Sequence, residues 1–399
     1  MKRQTTFFAL ALLWLFNNLN AQNYTDSLTI ALQEIYQTSQ LLGFAIAIVD
    51  NEKILYQQAF GYADLDKKTP YTPQSIQGIG SVSKTVIGMA LAKTIEQGKL
   101  SMETEINDLL PFEIIHPYFP NTPITVRQLA EHTSGILDSK HYAKSYLLEE
   151  TNLLQRSDLD KGFKKYIQRL NQHERLSLGI FCERILSKKG QWYSKKNFAK
   201  QAPGSQKSYS NLGAALTAYL IELATKMSFE EYTQKYIFLP LQMTQSAWSP
   251  SKVNADLLAT TYFPNGHFAP KYSLVTYPDG GLQSSVAELS SFLIEVIKGF
   301  SGEGILMSQE AYQLMLPGDE NDYRAFWGIN EMSKNIGHSG GDPGIATELS
   351  FNAESGIGRI LMTNVGAEDN ELLCEQFQRV WKTILHYEQL LESESYVEN

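Results

Sequence analysis

Residues 80–97 read GSVSKTVIGMALAKTIEQ, and this stretch decides how the rest of the chain is interpreted. Apolar side chains recur in it with the period of an α-helix, at Val82, Val86, Met89 and Ala90. Gly98 follows as a helix stop. The pattern therefore predicts an amphipathic helix over 82–97.

Ser81 and Lys84 stand three residues apart at the start of this helix, which places them on one face about one turn apart. The Ser81 oxygen would lie near the positive helix terminus, where developing negative charge is stabilised. A neutral lysine amine in a desolvated cleft can take the serine proton. Ser249 and Lys252 repeat the spacing without a following helix, so spacing alone equally allows an ordinary helix start with a surface lysine.

Two later segments carry groups that suit the same chemistry. Tyr209-Ser210-Asn211 stands at the start of a predicted helix over 211–226, where the tyrosine suits a proton shuttle and the asparagine a substrate amide. A capped helix with a packed tyrosine is the alternative. Further on, Gly337-His338-Ser339-Gly340-Gly341 precedes a strand-like run, and its glycines allow a substrate backbone to lie against an edge strand.

Strand signals lie at both ends of the chain and helix signals between them. Hairpins are predicted over 44–60 and 346–363, with flanking helices over 26–41 and 372–391. We therefore expect an α/β (α+β) fold in which an antiparallel sheet built from both termini is flanked by helices. A helical lobe over about 140–200 is the predicted insertion.

The three motifs, in this order, resemble those of the serine β-lactamase and penicillin-binding protein superfamily, S-x-x-K, Y-x-N and K/H-x-G. The Tyr-Ser-Asn form resembles the class C β-lactamase and D-alanyl-D-alanine carboxypeptidase branch with its esterase relatives. Supporting segments lie at 124–129, 132–136, 279–282 and 351–364, so the resemblance covers about 40–366. It implies a fold of the β-lactamase/transpeptidase type.

The resemblance also implies roles for the catalytic residues. Ser81 would attack the substrate carbonyl and form an acyl-enzyme, while Lys84 and Tyr209 share general-base and general-acid duty. Asn211 would hold the substrate amide. No metal or cofactor is implied.

The third motif would supply substrate contacts. His338 would face a substrate carboxylate or assist proton transfer, and Gly340 would line the bound substrate. The backbone N–H groups of Ser81 and Gly341 would form the oxyanion hole, where each donor is typically worth about 10²–10³ in rate.

Two departures from the family patterns are informative. The motif His338-Ser339-Gly340 replaces the Lys-Thr-Gly of most class C β-lactamases and resembles carboxypeptidases and esterases more. Because an unperturbed histidine is largely neutral at pH 7, it anchors a carboxylate less well than lysine, which disfavours efficient β-lactam hydrolysis. Glu150 to Leu154 lacks the asparagine of the class A E-x-x-L-N motif, which excludes that variant.

Other functions remain as alternatives. Gly337-x-Ser339-x-Gly341 also fits a nucleophile elbow, which requires a strand before it and a helix after it. A non-catalytic penicillin-binding-type scaffold that binds cell-wall material would have the same fold. The sequence contains no H-E-x-x-H pair, so no motif supports a metal hydrolase. We therefore predict a serine hydrolase acting on an amide, ester or β-lactam, with a D-alanyl peptide or related ester favoured as the small-molecule or peptide acyl donor.

Residues 1–21 have the layout of a secretory signal, with Lys2 and Arg3 before the apolar run from Phe7 to Phe16. That run is shorter than the ~20 residues of a membrane span. We expect cleavage after Ala21, a single catalytic domain over 22–399 in the periplasm, and no stable transmembrane span. An uncleaved anchor is the alternative.

Charge distribution indicates the partners. The 399 residues carry a net charge of −9, which disfavours a nucleic-acid binder. Residues 140–200, however, contain 14 Lys and Arg against six Asp and Glu. This basic segment is either an ordinary solvated face or a docking surface for an anionic cell-envelope polymer. Cys182 and Cys374 are too few for a disulfide framework and are predicted to be buried free thiols.

Overall fold

A computed structural model describes residues 24–150, 153–155, 159–318, 323–330, 334–367 and 370–395. The predicted signal at 1–21 lies outside the described residues, and the extent of the catalytic domain stays a prediction. No helix among the described residues is long and apolar enough to cross a bilayer.

The centre of the fold is an antiparallel sheet with the strand order β3-β2-β1-β12-β11-β10-β9-β8. Its strands are β1 (Gly43–Val49), β2 (Ile54–Asp64), β3 (Thr69–Pro70), β8 (Tyr323–Arg324), β9 (Trp327–Ile329), β10 (Asn335–Asp342), β11 (Ile345–Asn352) and β12 (Gly358–Thr363). Short strands β4 (Gln77–Gly78) and β5 (Tyr146–Leu148) pair with β7 (Gln283–Ser284) and β6 (Tyr272–Leu274), respectively. Because β1 pairs with β12, the two ends of the chain meet in one sheet, which confirms the predicted arrangement.

Helices cover both faces of the sheet. They are α1 (24–38), α2 (Ser83–Glu96), α3 (Val126–Ala130), α4 (Lys161–Asn171), α5 (Leu178–Leu186), α6 (Asn211–Thr225), α7 (Phe229–Thr233), α8 (Val286–Ser301), α9 (Gln309–Met315) and α10 (Glu371–Ser395). Strand β1 reads GFAIAIV and is buried throughout, since Ala45 and Ala47 face the core around α2 and α8, whereas Phe44 and Ile46 face α1 and α10. A buried ion pair between Arg359 and Glu388 joins β12 to α10.

Local sequence signals located most elements correctly. Both predicted hairpins form, as β1–β2 and β11–β12. The predicted helix over 82–97 is a 3₁₀ turn, Gly80–Val82, followed directly by α2. Thr125 and Gln128 form a capping box at the start of α3.

The basic segment 140–200 is less helical than predicted. Its described part contains α4 and α5, but also β5, which pairs with β6 from a distant part of the chain. A pairing partner more than 120 residues away leaves no local periodic signal, so the strand was missed. The expectation of two buried thiols is also half wrong, because Cys182 is buried and free whereas Cys374 is free but exposed.

Candidate active site

The side chains of Ser81, Lys84 and Tyr209 meet at one point. Lys84 Nζ donates to Ser81 Oγ at 3.0 Å, and Tyr209 Oη donates to the same oxygen at 2.8 Å. The Lys84 ammonium group also lies 5.2 Å from the centre of the Tyr209 ring. Residues 128 positions apart are thus brought within hydrogen-bonding distance, the geometry required for proton transfer to or from a serine nucleophile.

Lys84 is fully buried, and the 3₁₀ turn Tyr277–Asp279 supplies a hydrogen-bond acceptor for it. Its ammonium group donates to the Asp279 backbone carbonyl at 2.5 Å. The Asp279 carboxyl group accepts a hydrogen bond from Tyr142 Oη at 2.9 Å. Burial raises the pKa of Asp279 to about 7, although the positive charge of Lys84 acts to lower it. Tyr142, which belongs to the basic segment 140–200, therefore contacts the same residue that accepts a hydrogen bond from Lys84.

Asn211 is the first residue of α6 and is fixed by Asp138. Asn211 donates to Asp138 Oδ2 through Nδ2 at 2.8 Å and through its backbone N–H at 3.0 Å. The other carboxylate oxygen accepts from the Leu212 N–H at 2.9 Å. A carboxylate at a helix N-terminus satisfies otherwise unpaired donors and interacts favourably with the helix dipole. Asp138 was missed by the sequence analysis, although it lies two residues after the supporting segment 132–136.

His132 packs against Tyr209. Its ring centre lies 4.6 Å from that of Tyr209, and its Nδ1 accepts from the Ser210 N–H at 3.2 Å. Burial, together with the positive charges of Lys84 and Lys207, lowers the pKa of His132 well below its ordinary value. The imidazole is therefore neutral at pH 7 and acts as a packing surface that orients Tyr209.

The Gly80–Val82 turn lies directly against strand β10. A Cβ on Gly340 would stand 2.2 Å from the Ile79 carbonyl oxygen and 3.1 Å from the Ser81 nitrogen. Gly80 has a φ of +53°, and its Cβ would stand 3.1 Å from the Gly341 nitrogen. The two amides predicted to form the oxyanion hole, those of Ser81 and Gly341, therefore flank one close backbone contact that only glycine allows.

His338 lies on β10 beside Tyr209, and the two ring centres are 6.1 Å apart. Its Nδ1 is 2.5 Å from the Ser339 carbonyl oxygen. Burial, reinforced by the positive charge of Lys84, lowers the pKa of His338 to about 4. His338 is therefore neutral at pH 7, and its contact with a substrate carboxylate or its part in proton transfer stays a prediction.

The structure excludes the nucleophile-elbow interpretation. Gly337, Ser339 and Gly341 all lie within β10, which turns directly into β11 instead of a helix. Strand β9 pairs with β10 only at Ile336 and Gly337, so the edge beyond Gly337 carries no described strand partner. Among the described residues, no group of three or more His, Cys, Asp or Glu side chains is placed to hold a metal ion.

Comparison with known proteins agrees with this geometry. The beta-lactamase family profile matches residues 28–376 of the chain. The chain belongs to the beta-lactamase family. This superfamily has the β-lactamase and penicillin-binding protein fold and comprises serine hydrolases.

The curated relatives of this beta-lactamase family member are distant. Protein flp of Staphylococcus aureus (strain MRSA252) is 23% identical over 339 residues, a match covering 83% of this chain and 61% of that protein. Penicillin-binding protein 4* of Bacillus subtilis (strain 168) is 24% identical, over 82% of this chain and 69% of its own length. The chain thus spans about 61% of the length of the Staphylococcus relatives.

Solved structures share the fold. The penicillin-binding protein from Bacillus halodurans has a TM-score of 0.66 at 20% identity, covering 90% of this chain and 98% of that one. The D-amino acid amidase from Ochrobactrum anthropi SV3, complexed with L-phenylalanine amide, has a TM-score of 0.65 at 17% identity, covering 90% and 99%. At these identities the similarity establishes the fold alone.

The close contact at Gly340 predicts a selective loss of activity. We expect Gly340→Ala to lower the acylation rate about 10²-fold or more, because the new Cβ displaces the turn that carries Ser81 and its oxyanion-hole amide. Stopped-flow acylation with a chromogenic ester measures this rate. Gly162→Ala on the surface helix α4 is the control, and an acylation rate equal in both variants would contradict the account.

The lowered pKa of His338 predicts an NMR titration. We expect the Cε1 resonance, assigned with His338→Asn, to titrate with a midpoint near 4. The unfolded histidine titrates near 6.5, so the unfolded chain binds this proton first as the pH falls. His338 therefore makes the free energy of unfolding fall as the pH is lowered from about 6.5 to 4, and the full loss persists below pH 4. Above pH 6.5 it has no such effect. A midpoint at or above 6.5 would contradict the lowered pKa of His338.

Proposed function

We propose that the protein is a serine hydrolase that works through an acyl-enzyme on Ser81. One observation carries the proposal: the Ser81 oxygen accepts hydrogen bonds from both Lys84 and Tyr209 in a cleft beside the open edge of β10. A serine used only for structure has no need of a buried lysine and a half-exposed tyrosine converging on its oxygen. Membership of the beta-lactamase family supports the same chemistry.

The proposed reaction has two halves. Ser81 Oγ attacks the substrate carbonyl while its proton passes to the neutral Lys84 amine, directly or through the Tyr209 hydroxyl. The tetrahedral oxyanion is stabilised by the N–H groups of Ser81 and Gly341. The carbonyl re-forms as the leaving group departs with the proton. Water then gives a proton to the same pair and attacks the acyl-enzyme carbonyl. The bond from the acyl carbon to Ser81 Oγ breaks, the pair returns the proton to Ser81, and the acyl group leaves as a carboxylic acid.

The favoured acyl donor is a D-alanyl peptide or a related amide or ester. Penicillin-binding proteins and a D-amino acid amidase among the structural neighbours support this class. β-Lactam hydrolysis is disfavoured because the third motif offers a neutral His338 where a lysine would anchor the lactam carboxylate. The sequence layout supports secretion to the periplasm, where such substrates occur.

A non-catalytic scaffold that binds cell-wall material is not favoured. Such a protein would have no need to keep the nucleophile and both proton-transfer groups. Here Ser81, Lys84 and Tyr209 are all present and in mutual contact.

Covalent labelling tests the nucleophile. We expect a fluorescent fluorophosphonate to label the wild type, and peptide mapping to place the adduct on Ser81 alone. Ser81→Ala should lose labelling and ester turnover, with a melting temperature close to that of the wild type because no hydroxyl group needed by the core is removed. The control Ser339→Ala removes the serine of the rejected elbow. Labelling that disappears in Ser339→Ala and persists in Ser81→Ala would contradict the proposal.

We also propose that the basic segment binds an anionic envelope polymer. Lys161, Lys164 and Lys165 lie on α4 and form no ion pair with any residue in the described ranges. Tyr146, in the same segment, donates to Asp342 at the end of β10 with an O–O distance of 2.7 Å. The segment therefore adjoins the cleft, where a bound polymer would deliver attached substrates.

Salt dependence tests this partner. Because charge attraction is screened over about 8 Å at physiological ionic strength, binding to isolated envelope material should fall steeply as salt is raised. Reversing Lys161, Lys164 and Lys165 to Glu should remove most of the binding in a sedimentation assay. The matched reversal of the exposed Lys53, Lys99 and Lys235 should retain it. Binding that is independent of salt, or equal loss in both variants, would reduce the segment to ordinary surface.

A further inference from the structure

A short stretch of chain, residues 138–146, contacts three parts of the candidate active site and is called the bridging segment. The contacts come from Asp138, Tyr142 and Tyr146, which stand four residues apart. The segment contains the 3₁₀ turn Tyr142–Ser145 and ends on the first residue of β5. None of its side chains takes part in the proton transfers of the proposed mechanism.

Asp138 is the contact with the Tyr209-Ser210-Asn211 motif. Its Oδ2 accepts from Asn211 Nδ2 at 2.8 Å and from the Asn211 N–H at 3.0 Å. Its Oδ1 accepts from the Leu212 N–H at 2.9 Å and from Ser210 Oγ at 3.3 Å. An ionised carboxylate offers acceptors only, so one side chain orients four donors at the start of α6. The tyrosine of the motif directly precedes the residues that are held in this way.

Tyr142 is the contact with the lysine side of the site. Its hydroxyl group donates to Asp279 Oδ1 at 2.9 Å, and the Asp279 carbonyl oxygen accepts from Lys84 Nζ at 2.5 Å. Burial, followed by the negative charge of Asp279, raises the pKa of Tyr142 well above its ordinary value, so the hydroxyl group remains a donor. A shift of Asp279 would move the acceptor that Lys84 uses while it contacts Ser81.

Tyr146 is the contact with strand β10. Its hydroxyl group donates to Asp342 Oδ1 at 2.7 Å. Asp342 is the last residue of β10 and directly follows Gly341, whose amide is the second proposed oxyanion-hole donor. Burial, followed by the negative charge of Asp342, raises the pKa of Tyr146, so this hydroxyl group also remains a donor. The contact therefore holds the end of the strand next to that amide.

Backbone hydrogen bonds anchor the bridging segment at both ends. Just before it, the Leu137 N–H donates to the Asn197 carbonyl oxygen at 2.9 Å. At its far end, the Ser145 carbonyl oxygen accepts from the Val275 N–H at 2.8 Å, and Tyr146 begins the pairing of β5 with β6. A backbone fixed in this way is a firm support for the side chains that it carries.

We infer that Asp138, Tyr142 and Tyr146 are positioning residues of the proposed reaction, through which the bridging segment holds the three sequence motifs in their mutual geometry. The motifs come from distant parts of the chain, and the segment contacts each motif or the residue beside it. A displacement of about 1 Å at reacting groups can cost about 10²-fold in rate. The inference rests on the proposed function and adds residues of the same site that act through other residues.

Single substitutions test the three contacts, with acylation by a chromogenic ester measured by stopped flow. Tyr142→Phe should lower the acylation rate constant roughly tenfold or more and leave the dissociation constant of the ester unchanged, because Lys84 shifts while no substrate contact is lost. Tyr146→Phe should act in the same way through β10. Asp138→Asn should lower the rate constant and also raise the dissociation constant, because an amide replaces one acceptor oxygen with a donor and releases Asn211.

A double-substitution cycle tests whether Tyr142 acts through Asp279. Asp279→Leu removes the carboxyl group that accepts the hydrogen bond, so adding Tyr142→Phe to it should change the acylation rate constant by less than about twofold. The matched controls are Tyr118→Phe and Asp256→Asn, both at exposed residues, and they should keep the wild-type constants. Melting temperatures are measured for every variant.

Three results would overturn the inference: wild-type acylation by all three single variants, losses that only follow lowered melting temperatures, or independent effects in the double-substitution cycle. Asp138 is exposed, so Asp138→Asn gives its own answer where Tyr142→Phe does not fold. A wild-type protein that neither turns over the ester nor is labelled at Ser81 would instead overturn the proposed function.

Discussion

The candidate active site depends on the close contact between the Gly80–Val82 turn and strand β10. The Gly340 backbone lies so near the Ile79 carbonyl oxygen that no side chain fits between them. This contact fixes Ser81, the proposed nucleophile before α2, against the strand that carries the second proposed oxyanion-hole amide. The sheet holds that strand in place, and the sheet itself depends on the pairing of β1 with β12. Catalytic geometry is therefore set by backbone packing between the two halves of the chain.

The charged and titratable groups around Ser81 are the second determinant of the site. Lys84 is buried without a carboxylate at hydrogen-bonding distance among the described residues, and its described acceptors are the Ser81 hydroxyl and the Asp279 carbonyl. Both nearby histidines, His132 and His338, have a lowered pKa and are neutral at pH 7. Neither histidine therefore adds a positive charge beside Lys84 at pH 7. Lys84 is the group placed to accept the Ser81 proton, and it acts as a base only in its neutral form.

The fold was predictable from the sequence wherever the signal was local. The apolar run of β1, the turn residues after Val49 and the helical period over 82–97 each specify an element within a few residues of chain. The sequence motifs also brought out Ser81, Lys84 and Tyr209, whose side chains meet in the structure, because the motifs preserve order and spacing. Asp138 was missed because its role, capping α6 and holding Asn211, depends on a contact across 73 residues. The strand β5 was missed for the same reason, since its pairing with β6 leaves no local periodic pattern.

The central claim is that Ser81 attacks the carbonyl carbon of its substrates, and that the resulting oxyanion lies in a hole that β10 completes. A crystal structure of the phosphonate adduct tests it most directly. The account predicts a covalent bond between Ser81 Oγ and phosphorus, with the phosphonyl oxygen within about 3 Å of the backbone nitrogens of Ser81 and Gly341. An adduct on another residue, or a phosphonyl oxygen turned away from both amides, would contradict it.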